Sequence, residues 1–263
     1  MAMDSYASLV CRIGAKDHLA IAFSGGVDST LVARAAIDAS VDTLAITIDS
    51  PLFSRHTIQQ ATQMAQELGI AHRLVPLDTF PKDTSPQRCY VCKTMMARKW
   101  LEVAMQHGYL CVADGVTASD LLDSRQPGAH ASSHAGIWHP LAEIGITDSA
   151  IRRIASSLGL SNSNAPPDAC LATRIAFNEP ITHEKLNMIE AAEAYIRSLL
   201  GHSLIRVRLH QTLARIEMSP DDIPRLITHR ESVVQQMQAL GFGYVTIDAH
   251  GYRSGSMHLM LQP

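Results

Sequence analysis

The sequence predicts an α/β protein with a doubly wound parallel sheet, followed by a smaller α+β domain. Short apolar runs alternate with helical segments between residues 18 and 158, which is typical of right-handed crossovers and a parallel sheet with helices on both faces. Beyond Pro180 the order changes, because paired strands there follow one another directly. We therefore expect two domains, 1–178 and 179–263, each long enough to bury a core.

The elements of the first domain follow a short amphipathic segment. A short apolar run predicts a buried strand, and a glycine after a helical segment predicts where that helix ends. The strands are expected at His18–Phe23, Thr43–Ile48, His72–Leu77 and Tyr109–Ala113, and the helices at Leu31–Ile37, Thr57–Leu68, Lys93–Gln106 and Asp148–Leu158. Residues 124–146 are rich in Gly, His, Ser and Pro, and we expect a loop over the carboxyl edge of the sheet, where such folds bind ligands.

The second domain is predicted to combine two helices with three strands. Its elements are expected at His183–Leu200 (helix), Leu204–Leu209 and Leu213–Met218 (paired strands), Asp221–Leu240 (helix) and Tyr244–Asp248 (strand). Between the domains, residues 161–168 read as a second irregular stretch.

Composition limits the classes of function. The 22 basic and 25 acidic residues give a formal charge of −3, so we expect no nucleic-acid partner. No apolar run approaches the roughly 18 residues that a membrane span requires, and the first residues do not resemble a signal peptide. We expect a cytoplasmic protein without a membrane partner, in which five cysteines serve as thiols or metal ligands.

The loop after the first strand carries the strongest motif. Its residues are Ser24, Gly25, Gly26, Val27, Asp28 and Ser29. A glycine pair before a helix offers backbone amides to an anion, the serines add hydroxyl donors, and Asp28 suits a Mg²⁺ ion that accompanies phosphate. The alternative is an ordinary strand-to-helix turn capped by serine.

Three cysteines stand apart from the rest. Cys89 and Cys92 precede a predicted helix, and Cys170 lies in an irregular stretch, where a core would not require a small apolar residue. The Cys89/Cys92 pair alone could also be half a zinc site or accidental. Cys111 lies in the apolar strand Tyr109–Ala113 and Cys11 in the first amphipathic segment, and both are expected to pack in the core.

Two arginines and three histidines can each be interpreted either as part of a binding site or as solvated residues. Arg206 and Arg208 are one residue apart on a strand, so both point to the same face and could bind phosphate or carboxylate; the alternative is a solvated face with Glu217 as counter-ion. The histidines of the long loop, His130, His134 and His139, fit no single helical face, and a solvated loop is preferred to a metal site.

The SGGVDS segment resembles the PP-loop of the ATP pyrophosphatase superfamily, and it differs from the Walker loop GxxxxGKS. The resemblance implies a PP-loop, adenine nucleotide alpha hydrolase-like fold. It also implies that the loop holds the β and γ phosphates of ATP while a substrate oxygen attacks the α phosphorus, which gives an adenylated substrate and pyrophosphate. Asp49, Ser50 and Gly115 are further nucleotide-binding candidates on this resemblance.

Over nearly its whole length the chain is similar to the LarE family of ATP-dependent sulfur transferases. The matching segments are the PP-loop, Asp49–Pro51, Arg88–Lys93, Asp114–Gly115, Asp120–Leu121, Asp123 with Arg125, Pro140–Glu143, Ala169–Ile175, Arg206–Arg208 and Gly251–Ser256. The resemblance implies sulfuration of the carboxylates of a pyridinium dicarboxylate mononucleotide, a step in making the nickel-pincer cofactor. The chain departs from the family pattern at Gln126, Asp148, Ala165 and Thr173.

The resemblance also implies roles for individual residues. Cys89, Cys92 and Cys170 would hold a [4Fe-4S] cluster with one open iron that carries sulfide; alternatively, Cys170 gives up its own sulfur and becomes dehydroalanine. Asp28 would bind the metal of ATP·Mg²⁺, and the candidate anion holders are Arg174, Arg206 and Arg208. The rival functions are a PP-loop tRNA thiolase and a non-catalytic ATP-binding sensor. A homo-oligomer is expected.

Overall fold

The computed structural model describes residues 2–201, 204–253 and 255–257. Ser254, inside the matched segment 251–256, lies outside the described residues. The chain divides into two compact units: a first unit of residues 1–83 and 87–168, and a second unit of residues 84–86 and 169–263. The sequence places a domain boundary near residue 178, whereas residues 169–178 belong to the second unit because Ile175 forms a β-bridge with Leu209 there.

The first unit is built on an all-parallel sheet of four strands in the order β3-β2-β1-β4. This confirms the α/β prediction. The strands are β1 (His18–Ala22), β2 (Asp42–Asp49), β3 (Ala71–Pro76) and β4 (Val112–Ala113). Strands β1 and β2 are buried over nearly their whole length, as parallel strands covered on both faces are. Strand β4 is shorter than the predicted Tyr109–Ala113, because Leu110 is 89% exposed.

Eight helices accompany this sheet within the described residues. They are α1 (Ala2–Ile13), α2 (Val27–Asp38), α3 (Arg55–Leu68), α4 (Arg88–Gln106), α5 (Ala118–Leu122), α6 (Pro127–His134), α7 (Pro140–Ile144) and α8 (Asp148–Ser157). The expected loop over residues 124–146 therefore contains two short helices. Each begins with a proline at its first position, where the fixed φ favours the helix and no amide is needed.

The core of the first unit joins the sheet to helices α1, α2, α3, α7 and α8. Leu19 and Ile21 of β1 are fully buried and belong to the same apolar cluster as Leu31 of α2. The cluster continues through Leu9 and Ile13 of α1 and through Ile151 and Ile154 of α8. Strand β1 and the beginning of α2 are thus held rigidly, and the loop between them is held at both ends.

The second unit has the predicted α+β composition. It contains α9 (His183–Leu200), β5 (Arg206–His210), β6 (Leu213–Glu217), α10 (Ile223–Thr228), α11 (Arg230–Ala239) and β7 (Tyr244–Ile247), with short 3-10 turns at Leu171–Arg174 and Pro220–Asp222. Strands β5 and β6 are antiparallel, and β7 is parallel to β6.

One expected helix of the second unit is divided. The predicted helix Asp221–Leu240 is interrupted at His229, where φ is −103° and ψ is 13°. The Thr228 hydroxyl, next to this break, donates to the carbonyl of Arg225, a local bond of the kind that competes with the helical pattern. Among the helices of the described residues, none is both long and apolar enough to cross a membrane.

Candidate functional site

The loop between β1 and α2 is held by its own serines. The Ser24 and Ser29 hydroxyl oxygens lie 3.2 Å apart, and the Ser29 hydroxyl donates to the carbonyl of Gly26 at 3.1 Å. The amide of Gly26 donates to the Ser24 hydroxyl at 3.2 Å. Gly26 is the N-cap of the 12-residue helix α2, so it provides no capping side chain at the positive end of the helix dipole. This arrangement suits an anionic group of a ligand.

Two glycines are required by close packing around this loop. Gly25 has a φ of +72°, and a Cβ atom there would lie 2.6 Å from the Cα atom of Ala61 in α3. Gly115, which follows β4, would place a Cβ atom 2.7 Å from the amide nitrogen of Ser29. At Gly26, in contrast, the nearest atom would be the Ser24 hydroxyl oxygen at 3.3 Å. The fold thus excludes a side chain at Gly25 and Gly115 and leaves space beside Gly26.

Asp28 is a half-buried carboxyl group in the first turn of α2. Its pKa is raised from the ordinary 3.8 to about 6, mainly by burial and to a smaller extent by the nearby charges of Asp120 and Asp148, while Arg152 acts in the opposite direction. A divalent cation would favour the ionised form of all three carboxylates. Mg²⁺ is usually held by one or two carboxylates together with phosphate oxygens, so Asp28 and one neighbour fit this ion.

Two further residues at the same sheet edge were predicted. Asp49 ends β2, and its carboxylate pairs with Arg55 at 2.6 Å. Ser50 is buried and accepts a hydrogen bond from the amide of Leu52. Because β2 and β4 both neighbour β1, the structure brings Asp49, Ser50 and Gly115 to the edge that carries the Ser24–Ser29 loop.

Asn162 also supports the loop, and the sequence reasoning missed it. Its side-chain amide donates to the carbonyl of Gly25 at 2.8 Å and to the Thr30 hydroxyl at 2.9 Å. The stretch around it is fixed by Arg152, whose guanidinium donates to the carbonyl of Ala165 at 3.0 Å. No local pattern reveals this role, because the partners lie more than 130 positions away in the chain.

His139 and Asp114 form a buried pair. The Nδ1 atom of His139 lies 2.6 Å from a carboxylate oxygen of Asp114, with side chains 9% and 4% exposed. Burial raises the pKa of Asp114, but the His139 hydrogen bond and the charge of Lys93 outweigh this, and its pKa is below the ordinary value. The prediction of a solvated loop is therefore wrong for His139. His130 and His134 lie in helix α6 and not in a loop, and His134 is exposed and contacts the Tyr90 hydroxyl.

Four cysteines belong to the first unit. Cys89 and Cys92 lie in the first turn of α4 and not before it, because the helix begins at Arg88; both are half-buried, and residues three apart share one side of a helix. Cys111 packs against the core, as predicted, and burial raises its pKa. The core prediction is wrong for Cys11, which is exposed because α1 buries Leu9 and Ile13 instead.

Throughout the described residues no group of three His, Cys, Asp or Glu side chains could hold a metal ion.

Cys170, in the second unit, is half-buried and directly precedes the 3-10 turn Leu171–Arg174. Arg174 is only 1% exposed. Its guanidinium pairs with Glu193 of α9 and donates to the backbone carbonyls of Ala169 and Cys170. The structure thus places this predicted anion holder in an internal ion pair.

Arg206 and Arg208 are both buried, at 2% and 6% exposure, so the alternative of a solvated strand face is wrong. Arg208 donates twice to one carboxylate oxygen of Glu217, at 3.0 and 2.8 Å. The Arg206 guanidinium lies over the ring of Tyr252, 5.7 Å from its centre. Glu217 is the expected counter-ion, but it is fully buried and also pairs with Arg215 at 2.8 Å.

Comparison with known proteins gives relatives over almost the full chain. The NAD synthase family model matches residues 3–99. An uncharacterized protein of Synechocystis is 40% identical over 94% of this chain and 94% of its own length. The pyridinium-3,5-bisthiocarboxylic acid mononucleotide synthase of Lactiplantibacillus plantarum is 34% identical over 96% of this chain and 93% of that enzyme.

A solved structure supports the fold. The chain superposes on the NMN synthetase of Francisella tularensis with a TM-score of 0.52 and 15% identity, covering 64% of this chain and 76% of that protein. At this level of identity the likeness concerns the fold alone.

Proposed function

Since the chain belongs to the LarE family, we propose that it is an ATP-dependent sulfur transferase that converts a carboxylate of pyridinium-3,5-dicarboxylate mononucleotide into a thiocarboxylate. This reaction would serve biosynthesis of the nickel-pincer cofactor. The name of the Lactiplantibacillus plantarum relative supports this substrate class. The observation that carries the proposal is the segment Ser24–Ser29, which combines an uncapped helix terminus with the half-buried carboxyl group of Asp28, whose pKa is raised.

The first proposed step is adenylation. The β and γ phosphates of ATP would lie at the amino end of α2, and Asp28 with Asp120 or Asp148 would hold the Mg²⁺ ion that accompanies them. A substrate carboxylate oxygen then attacks the α phosphorus; the new P–O bond replaces the bond to the β phosphate, and pyrophosphate leaves. The acyl adenylate has AMP as its leaving group, which an unactivated carboxylate lacks.

The second proposed step is sulfur transfer. A sulfur nucleophile attacks the acyl carbon, a C–S bond forms, and AMP leaves with the original oxygen. Cys170 is the proposed sulfur-handling residue, and Arg206 is the proposed holder of an anionic group of the substrate. The guanidinium nitrogens of Arg208 all donate to Glu217 and to the carbonyl of Thr173, so Arg208 is assigned to the support of β5. If Cys170 donates its own sulfur, loss of its Hα proton and cleavage of its Cβ–S bond leave dehydroalanine, and the protein turns over once.

The alternative sulfur source is a [4Fe-4S] cluster, with Cys89, Cys92 and Cys170 as ligands. Two of these three ligands are placed suitably for a cluster, because Cys89 and Cys92 lie on one side of helix α4 near its amino end. A cluster bound there would supply an open iron site for sulfide. The described side chains contain no assembled group of three ligands, so the steps above depend on the chain's own residues.

A single reconstitution experiment tests the proposal. Protein purified anaerobically is incubated with ATP, Mg²⁺, sulfide and the mononucleotide, and pyrophosphate, AMP and the thiocarboxylate product are quantified. We expect all three with the wild type, pyrophosphate without thiocarboxylate for Cys170→Ala, and none for Asp28→Asn. Nucleotide binding without pyrophosphate would indicate a sensor, and pyrophosphate release that requires tRNA would indicate a tRNA thiolase.

The same preparation addresses two further points. Iron and acid-labile sulfide analysis distinguishes a cluster from a sacrificed cysteine, since only sacrifice removes the mass of one H₂S per turnover from the protein. We also propose that the protein is a homo-oligomer, which light scattering after size exclusion tests directly.

A further inference from the structure

We propose that Arg174 is a positioning residue that fixes the backbone carrying Cys170, and that it does not hold the anionic substrate. The inference rests on the proposed function only for the role of Cys170. It concerns contacts inside the second unit alone, between the segment Ala169–Thr173 and helix α9.

The guanidinium of Arg174 donates hydrogen bonds to the segment that carries Cys170. Its Nη1 atom donates to the carbonyl of Cys170 at 2.9 Å and to the Thr173 hydroxyl oxygen at 3.1 Å, and it also donates to the carbonyl of Ala169. The Thr173 hydroxyl and the Thr173 amide both donate to the Cys170 carbonyl, at 2.7 and 3.0 Å. The peptide group that follows the Cys170 Cα atom is therefore held by several donors at once.

The other side of the guanidinium is anchored on α9. Its Nε atom donates to Glu193 Oε1 at 2.9 Å and its Nη2 atom to Glu193 Oε2 at 3.3 Å. The same Glu193 accepts from the amide of Val207 in β5 at 3.0 Å. Glu193 is 2% exposed, so this carboxylate links the helix, the strand and the arginine in the interior of the unit.

The geometry leaves Arg174 poorly suited to an anion. Each of its three guanidinium nitrogens already donates to a partner within the second unit, and its side chain is 1% exposed. Moving it to a ligand would take from the buried Glu193 its closest charged partner, which is unfavourable. A reacting sulfur, in contrast, requires a fixed position, because small displacements of reacting atoms reduce rates severely. Fixing Cys170 is the role that these contacts can perform.

Amide hydrogen exchange in the protein as purified tests this inference. Thr173→Val removes the hydroxyl that joins Arg174 to the Cys170 carbonyl, and Thr173→Ser retains it. We expect exchange in the peptide covering 169–175 to accelerate about fivefold in Thr173→Val and at least about tenfold in Arg174→Lys. Thr173→Ser should match the wild type. Exchange in the peptide covering 213–217, in β6, reports global opening of the unit, and its rate should be the same in both threonine variants as in the wild type.

A second readout separates positioning from anion binding. Arg174→Lys should raise the rate at which iodoacetamide alkylates Cys170, measured by peptide mapping, and should lower kcat while the KM for the mononucleotide stays unchanged. Arg197→Lys is the matched control, since Arg197 reaches the same Glu193 only at 4.0 Å.

The outcomes are distinguishable. Unchanged exchange at 169–175 in Thr173→Val would overturn the inference, and so would a rise in KM without a fall in kcat for Arg174→Lys. If Arg174→Lys fails to fold, the two threonine variants decide. Loss of the proposed function would appear instead as full turnover by Cys170→Ala, with no bearing on the exchange result.

Discussion

Replacing Asp28 with asparagine should stabilise the ligand-free protein, because this carboxyl group is unfavourable when it is ionised in the folded state. Its pKa is raised from 3.8 to about 6. The difference is about 2 units, and each unit corresponds to about 1.36 kcal/mol, so the ionised group opposes folding by about 3 kcal/mol.

The sign of the pH dependence follows from the raised pKa. Below about pH 4 the group is protonated in both the folded and the unfolded states, and it has no effect on the free energy of unfolding. Between about pH 4 and pH 6 the unfolded chain loses the proton more readily, so the wild type loses stability as the pH rises. Above about pH 6 the penalty is complete. Asp28→Asn should therefore match the wild type near pH 4 and exceed it by up to about 3 kcal/mol at pH 7.5.

Urea unfolding without Mg²⁺ measures this difference. The two tryptophans of the chain, Trp100 and Trp138, both belong to the first unit, so their fluorescence reports the unit that contains Asp28. The exposed Asp17 provides a control substitution, Asp17→Asn, which likewise removes one carboxyl group. Equal wild-type and Asp28→Asn curves from pH 4 to pH 7.5 would refute the reasoning.

Three further predictions concern the loop, the arginines and the cysteines. Gly115→Ala should abolish pyrophosphate release, because its added Cβ atom would lie less than 3.0 Å from backbone atoms of Asp28 and Ser29. Gly26→Ala has no such backbone contact and should keep the thermal midpoint of the wild type. A normal rate of pyrophosphate release by Gly115→Ala would contradict this prediction. Arg206→Ala should weaken binding of the mononucleotide without changing ATP affinity, which titration calorimetry measures. Arg208→Ala should lower the free energy of unfolding by about 1.5–3 kcal/mol, because the buried Glu217 loses one of its two arginine partners and keeps Arg215; denaturation measures this loss. Cys92→Ala should lose the iron and the broad absorption at roughly 400 nm that a cluster would give. Cys11→Ala, the control, should keep both. Wild-type protein that remains free of iron after anaerobic reconstitution would count against the cluster.

The sequence predicts the first unit well where structure depends on local pattern. Strand β1 is predicted by its apolar run. The end of helix α3 is predicted by Gly69, since glycine readily adopts the left-handed conformation that follows many helices, and its φ is +69°. Helices α6 and α7 were not predicted, since they are too short to show a period. The break at His229 was missed for a similar reason, because residues 221–240 together have a continuous helical composition.

The candidate site was predicted in its motifs and not in its ion pairs. The Ser24–Ser29 loop is recognised from adjacent residues, and its position between β1 and α2 is as expected. The partners of Arg174 and Arg208 are 19 and 9 positions away, and no local pattern distinguishes an arginine paired inside the fold from one that binds a ligand. Asn162 was missed because its partners are separated from it by most of the first unit.

The division of the chain has a practical consequence for work with fragments. Residues 84–86 belong to the second unit although they interrupt the first, and the carbonyl of Thr84 accepts a hydrogen bond from the amide of Asn178. The polypeptide therefore passes from one unit to the other three times, so a single cut after residue 168 would leave residues 84–86 of the second unit in the first fragment. A split-protein design or an isolated nucleotide-binding fragment would need to replace residues 84–86 with a linker that closes the first unit on itself.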